Sequence, residues 1–294
     1  MASSLERNRQ VRVLSRTFAL GCTAFAFYFL INNYLNIWQD WPGVLNFLKH
    51  QQWLGLEELN RPLPEEQVSL GWAQLLALFL LAALVVFGVT KTQDAPLRNE
   101  AERLSGLAAY LCRACFWAVM LVGLVDMGIS FLRVEGGLEV LLGEELAKSL
   151  GRAIFRGTYV HYPLVLAGFV IAFFTRGLGF TWLALAVVFA EFQIVISRFV
   201  FSYEQSFMGD LVRMWYAGLF LFASAYALIS EGHVRVDVFY TTFSARKKAL
   251  SNAIGTVLFG LPLCWVILTI GMWDKGSSIN SPLRSFEVSQ QGFG

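Results

Sequence analysis

The chain has 294 residues, 56% of them hydrophobic and only 15% charged, with a formal net charge of +2. A soluble domain of this size rarely carries so large an apolar share, so a membrane protein is expected. Its basic residues are scattered over loops, without the stripe that would suit nucleic acid.

Seven segments are apolar over about the 20 residues a spanning helix needs: residues 13–31, 70–90, 107–132, 158–175, 178–200, 211–229 and 251–273. The first follows Arg7, Arg9, Arg12 and Arg16 and runs into Asn32 and Asn33 with no small-residue cleavage site, so it is read as a retained helix. Between the first two spans, Val44, Phe47, Leu48 and Leu54 predict a short interfacial helix ahead of the Arg61-Pro-Leu-Pro turn, and Trp38, Trp41 and Trp53 suit a membrane interface. The third span contains Cys112 and Cys115 in CxxC spacing. With no histidine nearby they read as packing residues, not as a redox or metal pair. After it, Leu138, Leu141, Leu142, Leu146 and Leu150 alternate with Glu139, Glu144, Glu145 and Lys148, the pattern of an amphipathic surface helix. The fold class is therefore all-α, a polytopic helical membrane protein of about seven spans with interfacial amphipathic helices.

Lys and Arg set the orientation. A cytoplasmic N-terminus puts twelve of the loop Lys and Arg on the inner side and eight on the outer, where Glu57, Glu58, Glu65, Glu66, Glu135, Glu139, Glu144 and Glu145 also lie, so N-inside is expected.

Charges within spans are costly, roughly 3 kcal/mol at the bilayer centre by insertion scales. Glu191 is the deepest, in the fifth span, and reads either as an interhelical hydrogen bond or lock to a neighbouring subunit, or as an ion site. Arg198, seven residues on, shares its face about 10 Å away along the axis, too far for a direct pair. Arg113 and Asp126 in the third span stand nearer its ends, where snorkelling serves. Asp210 and Arg213 have the i, i+3 spacing of a local ion pair at the start of the sixth span, which could knit a hairpin or dock a subunit. Pro262 after Gly260 predicts a kink in the seventh span.

The connector from Ser230 to Lys248 concentrates the charge of the C-terminal third. His233, Arg235 and Asp237 alternate with valines, which puts them on one face of an extended piece. From there Val236, Phe239, Tyr240 and Phe243 stand at helical spacing opposite Asp237, Thr241, Ser244 and Lys248. That layout predicts an amphipathic helix lying in a headgroup layer, with Arg246, Lys247 and Lys248 toward anionic lipid.

From about residue 189 to 273 the chain resembles the small membrane subunit of tripartite ATP-independent periplasmic (TRAP) transporters. The resemblance lies in a span ending in Arg198-Phe-Val-Phe, a polar turn leading to an acidic residue, a span closing on Glu231-Gly-His-Val-Arg-Val-Asp237, then a connector and a further span. It implies a four-helix subunit that holds the scaffold of a large permease subunit in the bilayer of the bacterial inner membrane. The large subunit carries substrate and sodium, and a periplasmic solute-binding protein delivers the substrate. The partner-interface residues would be Glu191, Arg198, Asp210, Arg213, Glu231, His233, Arg235 and Asp237. Residues 1–177 are then an N-terminal membrane extension of four spans and 178–294 the small-permease-like domain. The family's fourth helix is missing from it, as expected of a C-terminally truncated sequence.

The rival reading is a self-sufficient carrier using Glu191 and Asp126, but no internal repeat supports it. An enzyme is disfavoured: His50, His161 and His233 lie in separate loops or span ends, and no nucleophile and base motif appears. No cofactor or metal is expected.

Overall fold

The structure is a computed structural model that describes residues 2–57, 59–177, 180–203, 208–229 and 238–281. All regular elements among the described residues are helices, with no strand. In chain order they form α1 (Ala2–Trp38), α2 (Val44–His50), α3 (Glu65–Lys91), α4 (Leu97–Val134), α5 (Gly137–Leu142), α6 (Glu144–Leu150), α7 (Ala153–Arg156), α8 (Tyr162–Phe174), α9 (Phe180–Val200), α10 (Met208–Ile229), α11 (Ala245–Gly255) and α12 (Leu261–Met272). Six stretches among these helices are long and apolar enough to cross a membrane. The sixth predicted span is the 22-residue α10, whose apolar run is Val212–Ala225.

The described residues divide into two compact units, those up to 101 with 255–281 and those from 102 to 254. In the first, α1 packs along α3 and α12. Phe25 and Phe29 rest against Trp265 at 5.0 and 6.0 Å between ring centres. Tyr28 donates to the Gln74 carbonyl at 2.9 Å. At one end, the buried Arg16 grips Glu100 through Nε at 2.8 Å and also bonds Thr92. At the other end, Asn33 donates to the Met272 carbonyl and Lys275 pairs with Asp40. The short helix expected before the proline turn is α2. It buries Phe47 completely in an aromatic cluster with Trp53 and Trp72, where Gly71 leaves room for the ring because a Cβ there would fall 2.3 Å from it.

In the second unit α4, α9 and α10 share a core of Phe116, Leu183, Val187, Ala190, Val212 and Trp215. The Trp215 indole lies over Gly123, where a Cβ would stand 2.4 Å from Nε1. Helix α8 approaches α4 backbone to backbone at Gly168, whose Cβ would meet the Ala118 nitrogen at 2.6 Å, the small-residue contact by which membrane helices pack closely.

Three sequence expectations change in detail. The helix expected across residues 135–156 is broken into α5 and α6 at Gly143, which sits at φ +81, a conformation that costs glycine nothing. Leu138 and Leu150 are buried there against Ile129, Leu132 and Phe155, while Leu141, Leu142 and Leu146 are exposed. In the last span, a π-helical turn at Thr256–Gly260 precedes Pro262. Proline lacks the N–H that would pair with a carbonyl one turn back, and the wider i→i+5 register accommodates the loss. The connector also differs. Its described part is a turn at Val238 and Phe239, a single 3₁₀ turn at Tyr240–Thr242 and an extended Phe243, with the helix beginning at Ala245. The Thr241 and Thr242 hydroxyls bond back to the Val238 and Phe239 carbonyls, a local bonding that competes with helix. Val236 lies outside the described residues.

Candidate functional site

The predicted partner-facing residues fall along α9, α10 and the connector. Glu191 is twelfth of the 21 residues of α9, about 13 to 16 Å from either end at 1.5 Å per residue. It is exposed, and among the described residues nothing pairs with it. Val188, Phe189, Phe192 and Val195 around it are exposed as well. Arg198 near the end of α9 and Arg213 on α10 are both exposed. Asp210 lies in α10, but its side chain falls outside the described set, as do Glu231, His233, Arg235 and Asp237 entirely. Phe239 is exposed. Tyr240 donates to Asn252 Oδ1 at 3.1 Å and lies beneath the Lys248 ammonium at 5.3 Å, so the connector folds back on the start of its following helix.

A second site, which sequence reasoning did not assemble, lies in the α4–α8 half of the same unit. Asp126, expected to reach an interface by snorkelling, is buried at 1% exposure. Its Oδ1 accepts from Arg156 Nη1 at 3.1 Å, and His161 Nε2 stands 3.0 Å from the same oxygen. Arg156 is equally buried, and His161 retains 15% side-chain exposure. Residues five apart stand about 140° apart around a regular α-helix. Between Arg156 and His161 runs the π-helical turn Gly157–His161, whose i→i+5 register brings the two side chains to one side, and Tyr162-Pro163 follows it as Leu261-Pro262 follows the other π turn. Burial lowers the Arg156 guanidinium from its ordinary value, Asp126 opposes that, and Arg133 adds to it. Asp126 Oδ2, Arg156 Nε and, one turn along α4, Ser130 Oγ are buried with no partner among the described residues. A carboxylate held between a guanidinium and an imidazole forms an electrostatic clasp between α4 and the α7–α8 helix. Among the described residues no group of three or more potential ligands is placed to hold a metal.

Residues 184–290 match the family of tripartite ATP-independent periplasmic transporters, DctQ component. This segment is a DctQ domain. The match brackets the stretch from 189 to 273 whose motifs carry the resemblance, and the DctQ domain takes in Glu191, Arg198, Asp210, Arg213 and the whole connector, but neither Asp126 nor Arg156 nor His161. Its helices are shared between the two compact units, α9 and α10 with α4 in one and α12 with α1 and α3 in the other. DctQ is a transporter component, and with six helices among the described residues long and apolar enough to cross a membrane the chain is a multi-pass membrane protein of the inner membrane. No curated protein and no solved structure matches it.

Proposed function

We propose that this chain is the small permease subunit of a TRAP-type secondary transporter. It holds a large permease subunit in the bilayer for ion-driven uptake of an organic acid or similar solute, which a periplasmic solute-binding protein delivers. The N-terminus is cytoplasmic, and residues 1–177 are an extension to the usual small subunit. The DctQ match over residues 184–290 carries this reading. The position of Glu191 supports it: a carboxylate exposed in the middle of a spanning helix, amid exposed phenylalanines, is costly against lipid and far less so against a polar group of a partner. Arg235 and Asp237 are assigned to the same docking surface on the sequence pattern of the connector. Asp126 is committed to Arg156 and so gives no support to a carrier that would work by itself.

The test is reconstitution in liposomes under a sodium gradient. Uptake of an organic acid is expected when this chain, a large permease and a solute-binding protein are all present, and none is expected from the chain alone. Specific uptake by the chain alone would overturn the proposal.

A further inference from the structure

At the end of the first unit where α1 and α12 finish, a cavity of about 530 Å³ opens between α1, α2 and α12. That volume is in the range of small-molecule sites. Its inner end is apolar, walled by Phe25, Leu78 and Trp265. Its outer end is lined by Asn32 and Asn36, with Asp274 beyond. From Phe25 to Asn32 the helix rises about 10 Å, so the two ends differ in depth by the span of several methylenes.

The amides at the outer end are fixed in one orientation. Gln74 accepts from the Gly43 N–H at 3.0 Å and donates both its protons, to Asn32 Oδ1 at 2.7 Å and to Asn36 Oδ1 at 2.8 Å. With both carbonyl oxygens so engaged, each asparagine keeps its NH₂ donors on the side away from Gln74. A ligand here therefore meets donors for acceptor oxygens at one level and apolar wall below. No lysine or arginine lines the cavity, and its one charged residue is the carboxylate of Asp274, exposed beside Trp273. That combination selects against a purely anionic headgroup and for one that adds a cation to its ester and phosphate oxygens.

We infer that the cavity binds one amine-bearing glycerophospholipid. Its ester and phosphate oxygens lie on the Asn32 and Asn36 amides, its ammonium by Asp274, and one acyl chain along Phe25, Leu78 and Trp265. The site needs only a membrane setting and is independent of the small-permease assignment.

The full chain, stripped of lipid in detergent, is titrated with phosphatidylethanolamine and separately with phosphatidylglycerol, and binding is read by native mass spectrometry. One phosphatidylethanolamine per chain is expected, with at least tenfold preference over phosphatidylglycerol. Thr269 lines the cavity and bonds only the Trp265 carbonyl of its own helix, so Thr269→Phe fills the space without cutting a contact between helices; it is expected to weaken binding at least tenfold. Val266→Phe, on an exposed position of the same helix outside the cavity, is expected to bind like the parent. Should Thr269→Phe not purify folded, Asp274→Asn at the exposed mouth decides: it keeps the acceptor for the Gly276 N–H and is expected to erase the preference for the amine lipid. Equal binding of the two lipids by the parent, undiminished binding by folded Thr269→Phe, or an unchanged preference in Asp274→Asn would each overturn the inference.

Discussion

Asp126, Arg156 and His161 are 30 and 35 residues apart in sequence, yet meet at one carboxylate oxygen. Removing one member of a buried ion pair leaves a charge with no partner and costs about 3–5 kcal/mol, whereas replacing both by apolar groups of similar volume is often neutral or stabilising. Arg156→Ala is therefore expected to lower the thermal unfolding midpoint of the detergent-purified protein sharply. The double variant Asp126→Leu with Arg156→Met should recover most of that loss; a double variant as unstable as Arg156→Ala would show that the clasp does more than balance charge. The cost of a charge within the third span was readable at Asp126, but its partners were not. In the sequence Arg156 is one of several cations in the loop before the fourth span and His161 lies at that span's start, and only the π turn between them puts both on one side. Gly123 and Gly168 were equally silent, because a glycine's role in close packing depends on which helix arrives opposite it.

At the scale of the elements, apolar length alone located the spans, since a run of about 20 apolar residues has few other uses in a chain this hydrophobic. The amphipathic pieces were less legible. Helical spacing is present in residues 236–243, but the hydroxyls of Thr241 and Thr242 satisfy local carbonyls and the described part turns instead. Two ends of the first unit bear on the count of crossings. Asn33 and Asp40 at the end of α1 meet Met272 and Lys275 at the end of α12, so both ends lie on one side of the membrane. Between them α3, α4, α8, α9 and α12 make five crossings, and only with α10 as a sixth do the ends return to the same side. Single cysteines in a background without the native four make this measurable. An impermeant thiol reagent applied to intact cells is expected to label Asn46→Cys and Ser277→Cys but not Gln93→Cys or Lys248→Cys. Labelling of Ser277→Cys together with Gln93→Cys and not Asn46→Cys would remove α10 from the set of spans.

For the whole molecule, the DctQ domain does not stand apart from the helices that precede it. Trp215 of α10 fills the space above Gly123 of α4, and Trp265 of α12 rests on Phe25 and Phe29 of α1. The motifs of residues 189–273 made the family legible, because the charged connector and the span ends flanking it are local in sequence. The use of the preceding helices as packing partners was not legible, because it depends on contacts between distant spans. What remains exposed on α9 is the Glu191 face, and the central claim is that a large permease subunit covers it. The most direct measurement is quantitative co-purification of a large TRAP permease with the tagged chain, parent against Glu191→Leu. Leucine in place of a carboxylate facing lipid would be neutral or favourable, but opposite a polar partner group it leaves that group unsatisfied. The account predicts that the parent captures the large permease and that Glu191→Leu captures at least tenfold less, about 1.4 kcal/mol in the complex, at equal membrane expression of the chain. Equal capture by the two, or no capture by the parent, would contradict it.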